Sequence, residues 1–120
     1  MLPNFLFPES EVQKDGEGPA VPLEDAAGKT VQLTLGINET TEQSSLDVTV
    51  FGSADGSVWG AKPLIAFPQK FYKGVYTILL DLADSPDVRF LKVKYKTGRW
   101  GHWTTPAQVA FYVFAEPLRG

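Results

Sequence analysis

Residues able to do acid–base or nucleophilic chemistry are scarce in this chain. Its 120 residues hold one histidine and no cysteine. Histidine ordinarily exchanges a proton near neutral pH, and catalytic bases are most often drawn from it. His102 stands between Gly101 and Trp103, with no serine or carboxylate beside it. That context fits a loop histidine stacked on a tryptophan better than a general base, and no nucleophile-elbow pattern offers a serine. The lack of cysteine removes thiolate nucleophiles, disulfides and thiolate metal ligands together, and a single histidine leaves zinc without a ligand set. Asp81, Asp84 and Asp87 are spaced by three around a turn. Loop carboxylates can bind calcium, but the internal glycine and closing glutamate of an EF-hand loop are missing, so solvated turn acids are expected. The chain reads as a non-enzyme with no cofactor and no metal.

Binding chemistry is better represented. The loop Gly98–Pro106 places Arg99, Trp100, His102 and Trp103 within five residues. These are the types that dominate interface hot spots and sugar-stacking platforms. The competing expectation is that one or both tryptophans cap the open end of a core. Lys92, Lys94 and Lys96, with Arg89 and Arg99 nearby, form a basic stripe. Such a stripe can hold an anionic partner, and it also discourages edge-to-edge aggregation of sheets. Phosphate contacts dominate nucleic-acid affinity, so the net charge of −3 speaks against a nucleic-acid partner.

The charge is unevenly spread. Residues 1–29 carry six acids against two bases, 30–60 four acids and no base, and 61–120 nine bases against four acids, which sum to −3. Opposite halves can attract within one fold or between copies in an assembly. The N-terminal residues Leu2, Phe5, Leu6 and Phe7, interrupted by Pro3 and Pro8, are too apolar for a free tail. They are expected either to pack on their own domain or to reach a neighbouring subunit. The segment lacks the charged start and long apolar run of a signal peptide or membrane span, so a membrane partner is not expected. A cytoplasmic or virion-associated setting is the expectation that follows. Asn38-Glu39-Thr40 matches a glycosylation sequon, which without a secretory signal is taken as chance.

The elements that must position these residues are strands. Leu46, Val48 and Val50 alternate with Ser45, Asp47, Thr49 and Phe51, the period-two pattern of a half-buried strand. Asp55-Gly56 supplies a tight turn, and Trp59 is expected to anchor the returning chain in the core. Thr30–Gly36, Val88–Thr97 and Val109–Glu116 alternate in the same way. Val75–Leu82 is nearly continuous apolar and is expected as a central strand covered on both faces. Gly60–Lys73 is expected as an ordered crossing loop whose Leu64, Ile65, Phe67, Phe71 and Tyr72 close one edge of the core. No segment reads as a helix of useful length. The predicted fold is all-β: one antiparallel β-sandwich or jelly roll over residues 30–120, preceded by an extended arm and acidic loop over 1–29.

Ser53-Ala54-Asp55-Gly56-Ser57-Val58-Trp59, following a Leu-x-Val-x-Val strand, resembles the strand-turn motif of discoidin-like (galactose-binding-like) β-sandwiches. Similar S-x-D-G-x-x-W hairpins occur in phage and phage-like structural proteins. The resemblance covers residues 46–59 and implies the sandwich. It carries over no ligand residue, and the disulfide that often closes discoidin domains is absent. Two functions from different classes are therefore expected. The first is a non-catalytic structural or assembly protein, such as a virion, decoration or filament subunit, whose partner is another copy or an assembly protein. The alternative is a carbohydrate-binding module that stacks a glycan on Trp100 and Trp103.

Overall fold

Strands account for every regular element but one in the computed structural model, which describes residues 3–41, 43–60, 62–99 and 108–118. In chain order they are β1 (Asn4–Val12), β2 (Gly16–Glu17), β3 (Val21–Pro22), β4 (Thr30–Thr40), β5 (Ser44–Ser53), β6 (Ile65–Ala66), β7 (Gly74–Asp81), β8 (Phe90–Arg99) and β9 (Val109–Pro117). A single 3-10 turn occupies Glu24–Ala26. Sheet A runs β1-β9-β4-β7. Sheet B runs β2-β8-β5-β6, with β3 also paired to β8. Every pairing is antiparallel. With β2 and β3 counted as one interrupted strand, this is the strand order of an eight-stranded jelly roll.

The alternation seen in the sequence decides which side chains fill the space between the sheets. Val31, Leu33 and Leu35 of β4 and Phe111 and Val113 of β9 face inward from sheet A. Val48 and Val50 of β5 and Leu91 and Val93 of β8 meet them from sheet B. Each such side chain removed from water contributes about 1.5–3 kcal/mol before its ordering cost is counted.

Four expectations are revised. The segment 1–29, expected as an extended arm or edge segment followed by an acidic loop, contributes β1 to sheet A and β2 and β3 to sheet B. Residues 4–8 pack on their own domain: Leu6 is 0% exposed, and the Phe7 ring stacks on Phe111 at a centroid distance of 4.8 Å. Pro8 is tolerated because β1 is an edge strand, and register shifts between Phe5 and Phe7 and between Phe7 and Ser10 absorb the irregularity.

The run Val75–Leu82, expected in the centre of a sheet, is instead the edge strand β7, paired to β4 alone among the described residues. Its apolar residues serve two different faces. Tyr76, Ile78 and Leu80 pack toward the core, whereas Val75 and Leu79 are 66% and 54% exposed.

The crossing segment is ordered as expected, but only part of it closes the core. Leu64, Phe67 and Lys70 donate backbone N–H bonds to the carbonyls of Val50, Val48 and Leu46 at 2.8, 2.9 and 3.0 Å. These bonds cover the free edge of β5. Phe67 is buried, while Phe71 and Tyr72 stay exposed. Trp59 is not in the core either. It lies half-buried on the outer side of sheet B, with Lys92 Nζ 4.5 Å from its ring centroid.

Candidate functional site

The hairpin that carries the S-x-D-G-x-x-W motif is a self-contained turn. Asp55 Oδ1 accepts N–H bonds from Ser57 at 2.8 Å and Val58 at 3.0 Å, and the Ser53 hydroxyl donates to it at 3.0 Å. Those donors hold the Asp55 carboxyl below its ordinary value of 3.8, the Val58 N–H contributing most. Gly56 adopts φ +81°, the left-handed backbone that glycine reaches without penalty. All three bonds fall on Oδ1, so that oxygen is spent on holding the turn.

The basic stripe lies on the outer face of sheet B, as its alternation predicted, and it is met there by acids and rings of the same chain. β8 runs between the acidic neighbours of β2 and β5, with Glu17 opposite Lys94 and Asp47 opposite Lys96. Lys92 Nζ is 3.5 Å from Glu17 Oε1 and also covers Trp59. Lys94 Nζ sits 4.5 Å above the Phe51 ring. Some of the opposed charges of the two halves of the chain thus meet on sheet B. Beside this stripe is a groove of about 660 Å³ lined by Asp47, Thr49, Phe51, Pro63, Lys94 and Tyr95, among others. Tyr95 is pushed above its ordinary value of 10.0 by burial.

Of the residues expected to bind, Arg99 ends β8 opposite Ser44 and is half-buried. Trp100, His102 and Trp103 lie outside the described residues. Of those expected to mediate assembly, Leu6 and Phe7 are enclosed by their own domain and Phe5 faces outward at 43% exposure. Leu2 lies outside the described residues. Among the described residues no group of three or more His, Cys, Asp or Glu side chains is placed to hold a metal ion. Nor is any helix among them long and apolar enough to cross a membrane.

Phe5 belongs to a larger feature, the outer face of sheet A. Its ring meets Phe114 edge-on at 4.9 Å and Tyr112 at 5.8 Å. Tyr112 in turn lies across Gly36 of β4, and Gly36 is opposite Val75 of β7. The next row holds Phe114, Thr34 and Thr77, and in the one after it Glu116, Gln32 and Leu79 stand in line, the Gln32 amide donating to Glu116 at 3.0 Å. A solvated antiparallel face normally alternates to polar side chains. This one instead presents Phe5, Val75 and Leu79 to solvent above a half-buried floor of Tyr112 and Phe114. Tyr112, Phe114, Val75 and Leu79 were not singled out from the sequence. The available signal was that β7 and β9 carry apolar residues at both phases of the alternation.

No protein-family model matches the chain, and no curated protein matches it.

Proposed function

We propose that this protein is a non-catalytic structural subunit that acts by self-association. The observation that carries the reading is the apolar outer face of sheet A, where Phe5, Val75 and Leu79 are exposed on one side of a single sheet. Val75 and Leu79 flank Thr77 on one edge and Phe5 stands at the other, with Tyr112 and Phe114 between them, and exposed apolar groups gathered on one face mark interaction sites. The charge split of the sequence lends it little support, because part of it is met within sheet B, where Glu17 pairs with Lys92 and Asp47 lies opposite Lys96. The jelly-roll fold is neutral as well, since it serves both capsid and lectin domains. Phe5→Ser and Leu79→Ser test the reading together: a folded double variant with lower mass in solution than the wild type is expected. Unchanged association in that variant would contradict it.

The second reading, a carbohydrate-binding module, is favoured by the groove on sheet B. Phe51 gives it an apolar floor, and Asp47 and Thr49 offer hydrogen-bonding groups to a glycan. It ranks second because Phe51 is buried beneath Lys94, so a sugar would have to displace that lysine before stacking. Loss of glycan binding in Trp100→Ala or Trp103→Ala, with the fold intact, is the outcome that would raise it to first.

A further inference from the structure

We propose that the edge strand β7 is a dimerisation strand that pairs antiparallel with β7 of a second copy, across a twofold axis at Thr77. The inference rests on the self-association reading and names the surface and symmetry of the contact.

Backbone direction gives the first argument. Leu82 N–H donates to Lys29 O at 3.1 Å, continuing the β4–β7 register in which Thr30 faces Asp81. In an antiparallel ladder the N–H and C=O of one residue point to the same side and alternate along the strand. Leu80, Ile78 and Tyr76 therefore bond toward β4. Asp81, Leu79, Thr77 and Val75 direct their backbone groups to the open edge.

The other sheet edges are blunted in recognisable ways, and among the described residues nothing blunts this one. β1 carries Pro8 and two register shifts. The free edge of β5 is covered by the crossing segment, and β2, β3 and β6 span two residues each. β7 runs eight residues with an unbroken register, no proline and no charge before Asp81. A long, regular, apolar edge is the template that adds another strand.

What selects a second copy as that strand is the order of side chains about Thr77. Antiparallel pairing of Thr77 with Thr77 of the partner subunit makes a hydrogen-bonded pair and sets Val75 opposite Leu79 of the partner subunit. The exposed apolar residues thereby meet each other on the outer face. Continued one residue beyond the start of β7, the same register brings Lys73 toward Asp81 of the partner subunit at both ends of the contact. A shift of one residue pair either way breaks the apolar and the charged matches together. Sheet A would then continue through the axis from the four strands of one copy into the same four of the other, the isologous arrangement that closes on itself.

The test is the dimer dissociation constant by sedimentation of the full chain, with unfolding curves as the folding control. Thr77→Lys places like charges face to face at the axis. Lys73→Asp and Asp81→Lys each turn two attractive pairs into repulsive ones, and each is expected to weaken the dimer about tenfold. The double variant Lys73→Asp/Asp81→Lys restores attraction and is expected to recover wild-type affinity, which decides the matter even if Thr77→Lys does not fold. A wild type that associates while ignoring all of these changes would overturn the β7 contact alone. A wild type that stays monomeric would overturn both the contact and the self-association reading.

Discussion

The Tyr112 ring lies so close across Gly36 that a Cβ on Gly36 would meet it at 2.3 Å. The glycine is therefore the reason an aromatic can lie flat on the middle of sheet A and still touch Phe5 at its edge. Gly36→Ala would gain about 0.5–1 kcal/mol from strand propensity and lose about 1–3 kcal/mol to overpacking. Because the Tyr112 ring can swing toward solvent, the low end of that cost applies. A net loss of no more than about 0.5 kcal/mol in chemical denaturation is expected. A stabilised Gly36→Ala variant would show that the ring does not lie there.

Adjacent residues of β1 separate the core from the surface. Leu6→Ala empties a fully enclosed site and is expected to cost about 2–5 kcal/mol. Phe5→Ser loses two edge-on ring contacts of a half-exposed ring, about 1–3 kcal/mol in all. Urea unfolding of the two variants side by side measures the difference. Deleting residues 1–8 would remove Leu6 and Phe7 together, so its expected result is an unfolded chain rather than a dispersed one.

Trp59 gives a similar contrast on sheet B. It is held from outside by Lys92 rather than by the core, a cation–π contact worth about 0.5–1 kcal/mol. Trp59→Ala should therefore cost clearly less than Phe111→Ala, whose ring touches both Phe7 and Tyr95 and whose loss is expected at about 3–5 kcal/mol. Equal losses in thermal unfolding would place Trp59 in the core after all.

The Asp55 turn has a pH signature. Its carboxyl titrates lower in the folded chain than its ordinary 3.8, so the carboxylate form stabilises the fold above that pH. The contribution is lost as pH falls from 3.8 through the lower folded value. Wild type and Asp55→Ala should differ in melting temperature at pH 7 and converge in strong acid. A gap independent of pH would mean that the carboxylate charge is not what the turn uses.

Much of the fold was legible because strand alternation is a local signal. The pattern of Leu91, Val93 and Tyr95 against Lys92, Lys94 and Lys96 survives intact in β8, and the Asp55-Gly56 turn falls where its residues demanded. What the sequence concealed depends on neighbours. The nearly continuous apolar run Val75–Leu82 is compatible with burial on both faces and equally with an exposed edge, and what distinguishes them is that β7 has no second neighbouring strand among the described residues. Trp59 misled for a related reason: a large aromatic after a turn can be satisfied by a lysine stem as well as by a core. The outer-face cluster of Phe5, Tyr112 and Phe114 joins residues about a hundred positions apart in the chain, and no local pattern reports such a meeting.

The measurement to make first is the mass of the purified wild-type chain by light scattering over a wide concentration series. The proposed self-association requires a mass above the 13.2 kDa of one chain that rises with concentration. A mass fixed at 13.2 kDa across the whole series would contradict it and turn attention to glycan binding.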